Sequence, residues 1–452
     1  MQSTQPALPK YLEGVPVTRI FIAAFITQFC MGFEVLLRLN AASTIKHDFF
    51  DATNPLTSGA MIGEVLGVLF LGFAIANFVM SALVDSIGLR RTHVLSVVLY
   101  LLGTLTLVSA APGSDYAYQL LWGGSLLQGL AWGSIEAALN PLVVTIYPTK
   151  KVPKLNLFHA AFALGMLIAA PACVMVETFA LGWKLQLGLV FIPACVALVL
   201  ISRVKYPPSE RVAHGVSFAD MFKHTLTRPA FYLFVCAMFL TAATELVPSS
   251  WIDLTLTKIV GIQGFWLVAF IYTVQIIVRL FTGFLNHHLG SSGILFLGCL
   301  FSFAGLALLS QAASPGTGLF AALLFGMGTS VLWPTMLAGT SERFPKGGSL
   351  AIGLTASAGM LSTYVFMPLF GKLFDQAKIS SAGGEVAFAT LKEGTVAHDQ
   401  VMVAAAGSIF QTSALLPLVV VVFFAAAWLY DHRRKVKQSV ISSQFVTEHG
   451  KA

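Results

Sequence analysis

Long apolar runs alternate with short polar segments along the chain. A helix needs about 20 mostly apolar residues to cross the hydrocarbon core of a bilayer. Twelve runs meet this length, and we predict that each forms a transmembrane helix, numbered spans 1–12 in chain order. They lie near residues 18–42, 58–84, 92–112, 117–147, 155–178, 183–202, 229–254, 262–286, 291–313, 317–340, 349–374 and 405–430.

Composition excludes a water-soluble protein. Apolar residues make up 56% of the 452 positions and charged residues only 10%, whereas soluble domains carry about 25% charged residues. The mean hydropathy is +0.81. The five cysteines are odd in number and lie in apolar runs, which argues against a disulfide framework and a zinc site.

Basic residues predict the topology. The net charge is +7, and the basic residues lie in short clusters between apolar runs. This distribution is typical of a membrane orientation signal and not of a surface that binds a nucleic-acid partner. Placing the N-terminus in the cytoplasm puts most of the 27 Lys and Arg residues on the cytoplasmic side. We therefore expect both termini to be cytoplasmic.

One long polar segment divides the chain into two halves. Residues 203–228 separate two sets of six spans, so the sequence predicts an all-α membrane protein of two six-helix bundles. The predicted parts are a cytoplasmic N-terminal segment (1–17), an N-terminal bundle (18–202), a cytoplasmic linker (203–228), a C-terminal bundle (229–430) and a cytoplasmic tail (431–452).

Residues 81–91, after span 2, resemble the G-x-L-x-D-x-x-G-R-R signature of the major facilitator superfamily, with serine in place of the first glycine. A weaker copy at residues 283–290 follows span 8. The resemblance implies two bundles that rock about a central site. It also implies a cytoplasmic latch between the bundles, formed by Asp85, Gly88, Arg90 and Arg91.

Span 4 carries a polar stripe. Gln128, Trp132, Glu136 and Asn140 follow one another at steps of four, so they share one helix face. Carboxylate and amide groups hydrogen-bond to hydroxyls, and an indole stacks on apolar C–H faces, so the stripe favours a hydroxylated ligand. The alternative is a polar contact between helices of the bundle.

Other spans also contain ionisable or gating candidates. Glu34 and Arg38 in span 1 can pair, either as an outer ion pair near the headgroups or in proton coupling. Glu64 is expected to be structural. His159, which we take as the only one of the ten histidines within a span, is either a satisfied bundle residue or a titrating pathway residue.

Spans 7, 8 and 10 add further candidates. Glu245 and Trp251 flank a proline in span 7, and Trp333 precedes Pro334 in span 10; both patterns fit either a gating helix or a simple kink. We expect Arg279 in span 8 to lie close to the cytoplasmic face, in a latch or snorkelling to the headgroups.

These candidates also resemble the fucose–galactose–glucose:proton symporter branch and its sodium-dependent glucose transporter relatives. That resemblance rests on Glu136-x-x-x-Asn140-Pro141, on residues 156–165, 245–251 and on 326–335. It implies monosaccharide uptake coupled to protons, with Glu136 and Glu34 as proton carriers. The chain departs from the branch pattern in span 1, at His159 and in span 11.

The prediction is therefore a proton-coupled secondary transporter for a small sugar-like solute. The predicted substrate-binding residues are Gln128, Trp132, Glu136, Asn140, His159, Glu245, Trp251 and Trp333. Proton-driven efflux of drugs or metabolites and a non-transporting receptor are the alternatives. We expect no enzyme, cofactor or metal, since neither H-E-x-x-H nor a phosphate-binding loop occurs. Na⁺ is the alternative coupling ion, and we expect a monomer in the plasma (inner) membrane.

Overall fold

A computed structural model describes residues 9–51, 58–213, 215–260, 264–392 and 394–449. Within these ranges every regular element is a helix. Spans 1–5 are the helices Val17–Lys46, Ser58–Ile87, Leu89–Ser109, Ala117–Ile146 and Lys151–Thr178. Span 6 comprises Trp183–Gly188 and Phe191–Ile201, and the linker carries Glu210–Ala213 and Phe218–Leu226.

The second half follows the same plan. Its helices are Pro229–Val260 (span 7), Gly264–Leu309 (spans 8 and 9), Pro315–Thr329 and Leu332–Arg343 (span 10), Gly348–Ala382 (span 11), Glu385–Thr390 and Val396–His449 (span 12). Short helices of other types occupy Lys10–Leu12, His47–Asp51 and Pro345–Gly347.

Eleven apolar helices in the described ranges are long enough to cross a membrane. One of them, Ala269–Leu309, has 41 residues, which is about twice the length of a single span. Gly290 interrupts it with φ 69° and ψ 175°, a conformation that favours glycine. The chain reverses there, so this helix accounts for spans 8 and 9 of the twelve predicted crossings.

Glycines allow the helices of each bundle to approach closely. A Cβ atom on Gly129 of span 4 would lie 2.1 Å from the carbonyl oxygen of Leu69, and one on Gly133 would lie 2.3 Å from that of Phe73. Spans 2 and 4 therefore pack backbone to backbone, as is common where small residues line membrane helices. This packing holds span 4 in the protein interior.

The N-terminal segment, the linker and the end of span 12 lie on one side of the molecule, here called the linker side. The Lys205 ammonium donates to Glu13 O over 3.3 Å, and Arg19 donates to Leu200 O over 2.8 Å. Arg343, beside the Pro345–Gly347 turn that packs on the linker helix, pairs with Asp431 of span 12.

The two bundles meet on the linker side. Asn156 of span 5 donates to Thr335 Oγ1 of span 10 over 3.0 Å, and Lys151 donates to Ser341 Oγ over 3.1 Å. Spans 2 and 11 also touch, because a Cβ on Gly353 would lie 2.0 Å from Ser81 Cβ. These contacts close the linker side of the molecule.

Candidate functional site

The predicted stripe on span 4 is turned into the protein. Its four side chains are all buried, and Glu136 is only 3% exposed. The Glu136 carboxylate accepts a hydrogen bond from Gln28 Nε2 of span 1 over 3.0 Å and another from Asn140 Nδ2 one turn away. The side chain of Trp333, from the C-terminal bundle, faces the same carboxyl group. Glu136 therefore lies where the two bundles meet.

His159 completes this polar cluster. Asn140 donates its amide hydrogens to Glu136, so its Oδ1 atom, 2.9 Å from His159 Nε2, accepts a hydrogen bond from that ring nitrogen. Gln28 Nε2 lies 3.3 Å from His159 Nδ1, which is then the acceptor. With Glu136 as an acceptor, the geometry assigns a neutral His159 that carries its proton on Nε2.

Arg279 lies in the middle of the protein, which corrects the prediction of a place near the cytoplasmic face. It is 4% exposed and lies eleven residues before the break at Gly290, about 16 Å along the helix. Its Nη1 donates to the carbonyl oxygen of His159 over 2.6 Å, across the boundary between the bundles. Its Nε donates to Ser330 O over 2.7 Å.

Glu245 of span 7 lies next to this arginine. Its Oε1 is 3.9 Å from Arg279 Nη2. Its Oε2 is buried and has no hydrogen-bond partner among the residues that the structure describes. Trp251 falls on the same helix, but its side chain lies outside the described residues. Glu136 and Glu245 thus bring one carboxyl group from each bundle to the central region.

A second cluster lies within the N-terminal bundle and differs from the predicted ion pair. Glu34 accepts from Trp132 Nε1 over 3.1 Å. Arg38 instead donates to Gln128 Oε1 over 3.0 Å and to Ser125 Oγ over 2.6 Å, with no salt bridge to Glu34. Arg38 is 6% exposed, so it does not reach the headgroups.

Gln128 is fully engaged inside the bundle. Its oxygen accepts from Arg38, and its Nε2 donates to Thr104 Oγ1 of span 3 over 3.0 Å. Neither polar atom is available to a solute unless one of these two buried hydrogen bonds breaks. We therefore leave Gln128 out of the proposed solute site.

The predicted latch residues are spread over different partners. Asp85 accepts from Arg211 Nε of the linker over 2.5 Å and from Ser349 Oγ of span 11 over 3.2 Å, so it bridges the halves. Arg90 donates to Ile201 O over 3.4 Å within the N-terminal bundle. Arg91 is exposed at the start of span 3.

The sequence analysis missed two residues, Gln28 and His93, and one contact, that of Arg279 with the opposite bundle. Gln28 is uncharged and lies six residues before Glu34 and ten before Arg38, so it does not share their helical spacing. The interbundle contact of Arg279 needs the packing of spans 5 and 8, which no local pattern encodes. His93 is a buried histidine in span 3, and its Nε2 lies 2.9 Å from Thr27 Oγ1. The prediction that His159 is the only histidine within a span is therefore wrong.

The central arrangement can bind polar groups and hold a proton. Two carboxyl groups, two amides, an imidazole and an indole surround the boundary between bundles, and amides and carboxylates of this kind pair with hydroxyl groups. Carboxyl groups at membrane depth also serve as proton acceptors in transport pathways.

Comparisons with solved structures show the same fold. The E. coli fucose:proton symporter superposes with a TM-score of 0.67 at 16% identity, covering 89% of this chain and 98% of that one. The proton:xylose symporter XylE, bound to 6-bromo-6-deoxy-D-glucose, gives 0.66 at 13% identity and covers 88% and 94%. The human organic anion transporter MFSD10 gives 0.65 at 13% and covers 90% and 99%.

Sequence comparison identifies the family. No curated protein sequence shows a significant match to the chain. The Major Facilitator Superfamily profile, however, matches residues 20–367, which is most of the chain. Together with the helical, multi-pass architecture, this match shows that the chain belongs to the Major Facilitator Superfamily of membrane transporters and is not an enzyme.

Proposed function

We propose that this transporter carries a small hydroxylated solute, a monosaccharide, together with a proton. The observation that carries the proposal is the Glu136 carboxyl group, which is held by the amides of Gln28 and Asn140 and faces Trp333 of the opposite bundle. A carboxyl group in this position can contact the solute, and its surroundings change when the two bundles move apart.

The proposed solute site combines hydrogen-bonding groups with an aromatic face. Glu136, Glu245 and His159 provide acceptors and donors, and the Trp333 indole offers a flat apolar surface next to them. A monosaccharide presents hydroxyl groups around its edge and C–H groups on its faces, so it matches both features. Trp251 remains a predicted member of this site.

Proton coupling follows from the charge of Glu136. As a carboxylate it accepts hydrogen bonds from two amides. A proton on one oxygen removes an acceptor, so one amide is released and becomes free to bind a solute hydroxyl. The proton also cancels the charge, which lowers the cost of moving the occupied site through a closed state. We propose Glu34 as a second, less direct proton carrier.

The structural neighbours support this proposal by their stated activities. Two of them are sugar carriers coupled to protons, for fucose and for xylose. The third transports organic anions, so an organic acid is the competing substrate class. We further propose that the protein works as a monomer in the plasma membrane without a cofactor, with H⁺ as the coupling ion.

Uptake into proteoliposomes tests the function. Purified protein is reconstituted and offered a panel of labelled monosaccharides and organic acids, with an inward proton gradient, with a sodium gradient, or with neither. We expect one or more monosaccharides to accumulate only with the proton gradient. Accumulation of organic acids alone, or solute exit driven by proton entry, would replace the sugar symporter with an anion carrier or an antiporter.

A further inference from the structure

We propose that Arg279 is a gating residue whose guanidinium group exchanges partners during transport. In the structure it binds the His159 carbonyl of the opposite bundle, and in the state that is open on the linker side it pairs with Glu245 of its own bundle. The inference rests on alternating access by the two bundles, but not on the identity of the solute or the coupling ion.

The present contacts of Arg279 join three helices. Its Nη1 crosses from span 8 to the His159 carbonyl of span 5 over 2.6 Å. Its Nε binds Ser330 O of span 10, within the C-terminal bundle, over 2.7 Å. One bond must therefore break when the bundles separate on this side, and the other can persist.

The persistent bond has a local cause. The helical partner of Ser330 O would be the N–H of residue 334, but that residue is Pro334, which has no N–H. The carbonyl is buried in a membrane helix, where an unpaired backbone group is costly. Arg279 Nε satisfies it, so the guanidinium group has a fixed pivot in its own bundle while its Nη atoms are free to turn.

Glu245 is placed to receive the turning Nη atoms. Its Oε1 is 3.9 Å from Arg279 Nη2, beyond a direct hydrogen bond, and its buried Oε2 has no partner among the described residues. A small rotation that withdraws Nη1 from His159 O would bring a direct pair with this carboxylate. The charge of Arg279 would then stay compensated in both states.

This exchange predicts opposite effects for the two members of one ion pair. Arg279→Gln removes the bond across the bundles and should shift the population toward the state open on the linker side. Glu245→Gln removes the charged partner of the open state and should shift the population toward the closed state. An ordinary structural salt bridge would give shifts of the same sign, because each change would break the same contact.

Distances between spin labels on the linker side measure these shifts. Labels are attached at Arg91→Cys and His288→Cys, which are exposed at the linker-side ends of the two bundles, in a background with Cys195 and Cys236 replaced by serine. The full-length protein is reconstituted in nanodiscs without solute. A hydrogen bond to a charged group corresponds to about a tenfold change in an equilibrium. We expect the ratio of long to short distances to rise about tenfold in Arg279→Gln and to fall in Glu245→Gln.

Two further variants keep the test decisive. Arg343→Gln is the matched control, because Arg343 pairs with Asp431 on the same side but within one bundle, and its distance distribution should equal that of the parent. Arg279→Lys keeps the charge but not the fork of donors, and should shift the ratio in the same direction as Arg279→Gln by a smaller factor. Shifts of equal sign in the Arg279 and Glu245 variants, or no shift in either, would overturn the proposal, whatever the transported solute proves to be.

Discussion

At the scale of single residues, Glu136 is the group on which the proposed coupling depends. It lies one turn from Asn140 and within hydrogen-bonding distance of Gln28, at the boundary between the bundles. A glutamine in its place keeps the size and part of the hydrogen bonding but cannot gain or lose a proton. Coupling should therefore fail while the site itself persists.

The Glu136→Gln variant should lose accumulation and keep exchange. One proton per solute supports about tenfold accumulation per unit of pH gradient, or about 1.4 kcal/mol. We expect this ratio to fall to one in the variant, while exchange of labelled for unlabelled sugar continues. Glu64→Gln is the control, because Glu64 is exposed in span 2 and accepts a hydrogen bond from the Tyr118 hydroxyl over 2.5 Å. Uphill uptake retained by Glu136→Gln would remove this residue from the coupling.

Replacing Gln128 should lower the stability of the protein and leave its affinity for the sugar unchanged. Its oxygen accepts a hydrogen bond from the buried Arg38 guanidinium group. The Gln128→Leu variant leaves that donor without its partner, which costs about 1–3 kcal/mol. We expect a lower thermal unfolding temperature in detergent and an unchanged sugar affinity in the fraction that remains folded. A large affinity loss at unchanged stability would return Gln128 to the solute site.

The sequence predicted the charged groups of the site better than their partners. Helical spacing put Glu136 and Asn140 on one face, and the structure indeed buries that face against other helices. The same spacing suggested that Glu34 and Arg38 pair, but Arg38 turns toward Gln128 and Ser125 of span 4. Partners on other helices depend on how the helices pack, and that information is not local.

At the scale of helices, the packing of span 4 on span 2 fixes the depth and rotation of the polar stripe. Gly129 is in backbone contact with Leu69 O, and any side chain there must push the helices apart. Overpacking of this kind costs about 1–3 kcal/mol. The Gly129→Ala variant should therefore unfold at a lower temperature than the parent.

A second glycine of span 4 provides the matched control for this prediction. A Cβ on Gly123 would meet no atom within 4 Å. Gly123→Ala should be neutral or stabilising by up to about 1 kcal/mol, because alanine favours helix more than glycine does. Equal thermal stability of the two variants would contradict the close packing of spans 2 and 4.

Apolar length predicted the spans well, and the breaks within them less well. Each predicted span falls on one described helix or, in spans 6 and 10, on two, apart from residues 262–263 at the start of span 8, which lie outside the described residues. Length and hydrophobicity largely decide whether a segment can cross a bilayer. Span 10 divides at Ser330–Val331, where Pro334 removes one backbone hydrogen bond. The proline predicts a kink or a gating helix at this point. The sequence does not predict that Arg279 of span 8 donates to the Ser330 carbonyl, which the proline leaves without a helical partner.

At the scale of the whole molecule, two bundles are joined on the linker side by polar contacts. These include Asn156 with Thr335, Lys151 with Ser341, and Asp85 with both Arg211 and Ser349. Buried apolar residues of the two bundles also pack in one shared cluster, but each of these polar contacts is a hydrogen bond or an ion pair that can break and re-form as the bundles move. This feature fits the rocking motion of a carrier.

The central claim is that solute and proton move together through the boundary between the bundles. A pH-sensitive dye trapped inside proteoliposomes tests it directly, when an accumulated sugar from the uptake panel is added outside in the absence of any initial gradient. The account predicts that the lumen acidifies as sugar enters, and that Glu136→Gln abolishes this signal. Sugar entry with no change in luminal pH, or with alkalinisation, would contradict the account.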